Sequence, residues 1–162
     1  MIPIRPYRSE DWPQLWSILE PIFRAGETYV FDPDISPAAA QAIWVDTPAL
    51  TFVAENSQAE IVGSYYLKPN QPGLGSHVCN AGYVVAEVAW GQGIGTALCH
   101  HSQAQARAAG FRAMQFNLVV STNHGAVYLW QKLGFTVVGT LPAAFNHRRY
   151  GYVDALVMYK LL

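Results

Sequence analysis

Asn80-Ala-Gly-Tyr-Val-Val85-Ala-Glu-Val-Ala-Trp90-Gly-Gln-Gly-Ile-Gly95-Thr-Ala-Leu98 joins an apolar, β-favouring run to a glycine-rich turn and then to a helix-compatible segment. Glycine at a strand-to-helix turn lets the backbone approach a ligand with no Cβ in the way. The first helical amides have no intrahelical partner, and the helix dipole favours an anion beside them. The stretch therefore reads as a phosphate cradle. Spacing excludes two common kinds. A dinucleotide fingerprint needs glycine where Thr96 stands, and an acidic residue some way downstream that is missing. A P-loop needs Gly-Lys-Ser/Thr, and no lysine is near.

The rest of the chain narrows the class. Its 162 residues fit one domain, spanning 1–162, with a substantial core. Hydrophobic content of 51% against 13% charged residues excludes disorder. A net charge of −1 leaves no electrostatic footprint for nucleic acid. No apolar run approaches membrane-spanning length, so no membrane partner is expected. The first residues lack a signal-peptide layout. Two cysteines, Cys79 and Cys99, form neither a disulfide framework nor a CxxC site. The expectation is a reduced, cytoplasmic setting with no metal.

Outward from the cradle, local signals set out the elements. Residues 2–7 read as an edge strand, since Pro3 and Pro6 remove ladder donors. Ser9 is placed to cap a helix running to about residue 23, with Trp12, Leu15, Trp16, Leu19 and Phe23 on its core-facing stripe. Residues 25–35 form a polar, aromatic loop suited to lining a site. Ser36-Pro37 starts a second helix that ends near residue 45. Strands are expected at 50–55 and 60–67 as a hairpin, then at 77–85, 113–120, 136–141 and 152–160. Helices are expected at 93–109 and 123–133, and a polar loop at 142–151. A helix between the 77–85 and 113–120 strands permits a parallel, right-handed crossover. The fold class is α/β: a single mixed, mostly antiparallel sheet flanked by helices.

A second motif decides which cradle this is. Asn123-His-Gly-Ala126-Val-Tyr128-Leu-Trp130-Gln-Lys-Leu-Gly134-Phe135 and the Gly93–Gly95 turn together resemble the GNAT (GCN5-related) N-acetyltransferases. That family carries Arg/Gln-x-x-Gly-x-Gly/Ala before the helix and Asn-x-x-Ala-x-x-x-Tyr-x-x-x-Gly-Phe further on. The sequence departs from it twice. Trp90 stands where Arg or Gln is usual, and Trp130 where the family has the Tyr credited as general acid. Indole offers a donating N–H but no dissociable proton in this range. Tyr128 is about 200° away around the helix and is no substitute. A thiol's pKa of about 8.5 makes unassisted departure of the thiolate tolerable.

The resemblance implies the GNAT fold, with a V-shaped splay between the 77–85 and 113–120 strands that takes acetyl-CoA as co-substrate. Pantetheine would pair with Val84 and Val85, and the pyrophosphate would lie on Gly91, Gln92, Gly93, Ile94, Gly95 and Thr96. The Val85 amide would donate to the thioester oxygen as charge develops there, and Asn123 would bond near the thioester or pantetheine. Lys132 is a candidate phosphate contact or an ordinary solvated lysine. The implied reaction is direct attack of a small-molecule amine through a tetrahedral intermediate. An α-amino group has a reference pKa of roughly 7.7–8.0 at a peptide terminus, where a strong base is optional.

On the acceptor side, Asn80 and Asn117 are the candidate catalytic and substrate-binding amides, with Glu27 and Tyr29 as further substrate contacts. Glu27 or Glu87 could act as base, His77 or His147 could titrate, and Arg148 or Arg149 could receive a carboxylate. Cys79 alternates to the face opposite Asn80. Phe116-Asn-Leu-Val-Val-Ser-Thr-Asn123, Gly139-Thr-Leu-Pro142 and Gly151-Tyr-Val-Asp-Ala155 resemble a narrower group, the fungal acetyltransferases of azetidine-2-carboxylate, which act on proline and its analogues. The alternatives are an acyl-CoA sensor or assembly module without chemistry, and a protein-modifying acetyltransferase. A homodimer stays open, to be judged by the exposure of tryptophans in the first helices.

Overall fold

The computed structural model describes residues 2–162. Among them seven strands form one sheet: β1 (Ile4–Pro6), β2 (Leu50–Glu55), β3 (Ile61–Pro69), β4 (Val78–Val85), β5 (Ala113–Val120), β6 (Thr136–His147) and β7 (Gly151–Leu161). Their order is β1-β2-β3-β4-β5-β7-β6, and every neighbouring pair is antiparallel except β4 with β5. Helix α3 (Ile94–Ala108) makes the crossover between those two. The α/β class and the mixed, mostly antiparallel sheet follow the sequence reading.

Two cores lie on opposite faces. On one, α3 and α4 (His124–Lys132) cover Leu67, Cys79, Leu98, Met114, Phe116 and Trp130. Gly63 makes this close packing possible. A Cβ there would lie 2.9 Å from the Val84 carbonyl and 3.1 Å from the side chains of Ile94 and Leu98. On the other face, α1 (Trp12–Ala25) and α2 (Pro37–Gln41), which runs on as a π-helical turn to Asp46, bury Leu15, Leu19, Phe23, Trp44, Val53 and Tyr66.

Local expectations hold at α2, where the Ser36 hydroxyl accepts from the Ala39 amide and Pro37 opens the helix. Others need correction. Ser9 does not cap α1; a short 3-10 turn precedes the helix, and Asp11 accepts from the Arg8 amide at 2.7 Å while Arg5 forks onto both its oxygens. The Asp11 amide, from which a Ser9 cap would accept, donates instead to the Arg8 carbonyl at 2.9 Å. Trp12 and Trp16 are only half-buried and stack on each other, 5.9 Å apart, while Ile18 joins the core instead.

The expected polar loop at 142–151 is strand for most of its length. β6 is the outer edge, so Pro142 interrupts no ladder on its free side. A bulge between Leu141 and Phe145, with Ala143 at φ +49, restores alternation, so Phe145 and His147 turn inward. Only residues 148–150 remain as the turn.

Candidate active site

The splay is present. β4 and β5 pair only from Val78 to Asn80 with Ala113 to Gln115, yet both continue to Val85 and Val120. The buried Asn80 stands where pairing stops, its side-chain amide donating to the Gln115 carbonyl at 3.0 Å.

Beyond that point one edge of β4 is open, and the register tells which groups lie on it. The Ala86 amide donates to the Val62 carbonyl, so Ala86, Val84 and Gly82 direct their amides at β3. Val85 and Tyr83 direct theirs into the gap. Tyr83 bears this out: its amide donates to the Tyr29 hydroxyl at 2.9 Å, and that hydroxyl donates back to the Tyr83 carbonyl at 2.8 Å. Tyr29 thus occupies, for one residue, the place of a neighbouring strand. Its ring is held by Phe23, Phe31 and Trp44, and burial, with Tyr66 beside it, keeps the phenol well above its ordinary pKa.

At the other end of the edge lies the cradle. Gly91 and Gly93 both adopt left-handed φ, at +76 and +79, and a Cβ on either would meet open space. Conformation, not crowding, calls for glycine there. The bonding of α3 starts with the Ala97 amide to the Gly93 carbonyl, which leaves the preceding amides without an intrahelical partner. Trp90, 62% exposed, donates its indole N–H to the Val85 carbonyl at 3.0 Å. The tryptophan at the Arg/Gln position thereby ties the cradle to β4. The Val85 carbonyl keeps a second lone pair, and its amide faces the gap.

Below the gap a cleft of about 300 Å³ opens between β4, β5, α4 and the 26–35 loop. Tyr29, Asn80, Asn117, Asn123 and Trp130 all line it. Asn80 and Asn117 do not bond to each other. Asn117 donates to Asn70 Oδ1 at 2.7 Å and accepts from Gln115 Nε2 at 2.9 Å. Asn123 caps α4, its Oδ1 accepting from the Ala126 amide at 3.3 Å. Trp130 is buried against Tyr83 and Phe116, and no protein group among the described residues accepts from its indole N–H.

Other sequence candidates lie elsewhere. Glu27 pairs with Arg149 at 2.9 Å, and Arg148 donates to the Arg24 carbonyl at 2.8 Å; together they dock the β6–β7 turn on the end of α1 and the loop after it. None of the three lines the cleft. His147 is buried in that turn, where Nδ1 accepts from the Arg149 and Tyr150 amides. His77, Glu87, Tyr128 and Lys132 are exposed outside the cleft. Cys79 is fully buried on the α3 face, its thiol pushed up to about 12 by burial. No cluster of three metal-ligating side chains occurs among the described residues.

Three residues of the cleft region went unread in the sequence. Tyr66 pairs across the strands with Gly82, where any Cβ would lie 2.5 Å from the Tyr66 ring. Lys68 pairs with Asn80, and its ammonium sits 5.5 Å from the Tyr66 ring centroid. Asn70 bonds Asn117. The alternation Tyr66-x-Lys68-x-Asn70 was the available signal, but only pairing shows that this face meets the cleft.

These observations define a site class, and comparison with known proteins fixes the family. The model of the acetyltransferase (GNAT) family matches residues 12–135, covering both motifs and the open edge of β4. The chain belongs to the GNAT acetyltransferase family. It is similar to the N-acetyltransferase aca1 of Schizosaccharomyces pombe, 36% identical over 111 residues, which are 68% of this chain and 53% of that protein. The chain thus spans about half the length of that curated relative. Protein SPT10 of Saccharomyces cerevisiae is 31% identical over 87 residues, 54% of this chain but 14% of its own length. Among solved structures, a GCN5-related N-acetyltransferase from Kribbella flavida is 43% identical, with TM-score 0.94 over 99% of this chain and 98% of that one. A phosphinothricin acetyltransferase from Sinorhizobium meliloti, in complex with AcCoA, shares the GNAT fold at TM-score 0.87 and 19% identity, over 99% of this chain and 88% of that one. No helix among the described residues is long and apolar enough to cross a membrane.

Proposed function

We propose that this GNAT protein transfers the acetyl group of acetyl-CoA to the amine of a free amino acid or close analogue. The observation that carries the reading is the open edge of β4, with a left-handed glycine cradle at one end and Tyr29 closing the other. An extended ligand arm entering from the cradle meets the Val85 groups first and is stopped at Tyr83. Acetyl-CoA brings an activated thioester, and the residues do the rest. The amides from Gly91 to Thr96 hold the pyrophosphate, with Gln92 and Ile94 contributing backbone only, and Val84 shapes the wall while its amide serves β3. The Val85 amide stands ready to donate to oxygen as negative charge develops there. A preset donor of this kind is worth roughly 3 kcal/mol of barrier.

On the acceptor side, Asn80 and Asn117 fix the amine and its substituents within the cleft, and the 26–35 loop covers them. Among the described residues, the cleft lining offers no carboxylate or imidazole as a general base. The amine therefore attacks in its neutral form, giving its proton to water, and the Trp130 N–H supports the departing sulfur by donation alone. Glu27, held by Arg149, stabilises the loop. The narrower likeness to the azetidine-2-carboxylate acetyltransferases supports amino and imino acids as the class.

The test is thiol release from acetyl-CoA with a panel of L-amino acids including proline analogues. Tight acetyl-CoA binding with no thiol release from any amine would replace the reading with a ligand sensor, the alternative that Trp130 at the acid position favours. Asn117→Ala separates the two, because a sensor keeps its affinity and has no rate to lose.

A further inference from the structure

The sheet face under the acceptor end of the cleft is a patch of neutral amides around one cation. Strand pairing places Asn80 opposite Lys68 on β3 and opposite Gln115 on β5, and Asn117 bonds both Gln115 and Asn70. Of the described residues that line the cleft, Lys68 alone carries a charged side chain. Among the described residues it forms no ion pair, whereas Arg5, Arg24 and Arg149 each hold a carboxylate. Its ammonium folds back over Tyr66, 5.5 Å from the ring centroid. Since Tyr66 pairs with Gly82, the charge lies one residue short of Tyr83, where Tyr29 closes the open edge.

The surrounding carboxylates are engaged or lie elsewhere. Glu27 is on Arg149, and Asp32 lies outside the cleft lining in the adjoining depression, which shares Tyr29, Val30 and Phe31 with it, and accepts from the Asp34 amide. The two arginines that the sequence offered as carboxylate receptors, Arg148 and Arg149, are held by Arg24 and Glu27. A half-buried ammonium over an aromatic ring, with amide donors beside it and no counter-ion, attracts an anion and repels a second cation.

We propose that Lys68 recognises the carboxylate of the acceptor, so that the site takes α-amino and imino acids and rejects polyamines, amino sugars and peptide amino groups. This rests on the acceptor reading above and adds its charge selection. A carboxylate on Lys68 places the α-amine, two bonds further on, toward Tyr83 and the mouth of the open edge. The neutral amides of Asn80 and Asn117 then contact the amine without raising its charge.

Two readouts test this, one of them free of turnover. In the first, each panel amino acid is compared with its own carboxamide and with a diamine by thiol release. The wild type should prefer the acid by tenfold or more in kcat/KM. Lys68→Met should lose about tenfold on the acid, mostly in KM, while its carboxamide rate stays within twofold, so the preference collapses. Lys68→Glu should shift preference toward the diamine. In the second, binding of N-acetyl-L-proline and N-acetyl-L-prolinamide is measured by calorimetry in the presence of CoA. The wild type should favour the acid, and Lys68→Met should not. This arm reports even where no amine is turned over, which separates failure of the charge selection from failure of the acetyltransferase reading. Melting temperature and acetyl-CoA affinity check that the variants are folded; should Lys68→Met not fold, the wild-type acid-to-carboxamide ratios decide alone. Equal wild-type use and binding of acid and carboxamide, or equal losses on both in Lys68→Met, would overturn the proposal.

Discussion

Tyr29→Phe removes one oxygen and nothing else. The Tyr29 ring touches Phe23, Phe31 and Trp44 at centroid distances of 5.5, 5.6 and 5.7 Å, contacts a phenylalanine keeps. What disappears is a hydroxyl that serves both the amide and the carbonyl of Tyr83, 54 residues away in sequence. Each buried backbone group left without a partner costs about 1–3 kcal/mol. Both groups face the cleft, where water can partly replace the hydroxyl, so we place the total loss at about 1–2 kcal/mol, at the lower end of that range. The phenol's raised pKa keeps it neutral at any ordinary assay pH, so the loss should be the same at pH 6 and pH 9. Urea unfolding at both values, with acetyl-CoA absent, is the assay. Tyr29→Ala should lose considerably more, because it also empties the aromatic box. A Tyr29→Phe change below about 0.5 kcal/mol would refute the idea that this hydroxyl closes the β4 edge.

Other perturbations follow from the same geometry. Gly82→Ala should destabilise by about 1–3 kcal/mol, since the new Cβ meets a Tyr66 ring boxed in by Trp44 at 4.9 Å. Adding Tyr66→Leu should recover part of that loss in a double-mutant cycle, and strict additivity would count against the clash. Gly93→Ala meets no neighbour but must hold φ +79, so about 1–2 kcal/mol of backbone strain should appear in stability and weaken acetyl-CoA binding by calorimetry. Unchanged affinity would remove the cradle from the pyrophosphate site. The Asp11 carboxyl is held below its ordinary value by its hydrogen bonds from Arg5. Its contribution is therefore full above the unfolded pKa of about 3.9 and is lost as pH falls from there through the lower folded value. Asp11→Asn should flatten the acid limb of a thermal-denaturation profile and lower stability at neutral pH by about 2 kcal/mol, below the figure for a fully buried pair because Arg5 is partly exposed.

Local chemistry wrote much of this fold into the sequence. Ser36-Pro37, the Gly91–Gly93 turn and the Asn123 cap each act within a few residues, so their roles are legible from neighbours alone. The two motifs at their spacing implied the family and the splay. Where the reading failed, a distant group had won. At residues 8–11 Arg5 fixes the Asp11 carboxylate, which organises the turn through the Arg8 amide, and residues 142–147 became strand because β7 offered partners on both sides of the Leu141–Phe145 bulge.

The acceptor end shows the limit most clearly. Tyr66, Lys68, Asn80, Gln115 and Asn117 come from three strands, Asn70 lies just past the end of β3, and no run of sequence contains them together. Their convergence depends on register, where a slip of one residue would turn every side chain to the opposite face. Register in turn depends on which apolar faces the helices bury, a property of the whole sheet. The sequence by itself determined the cradle, the order of elements and the family. Tertiary structure alone decided that Tyr29 closes the β4 edge and that one unpaired ammonium lies among neutral amides, because strand pairing and burial act across the chain and not along it.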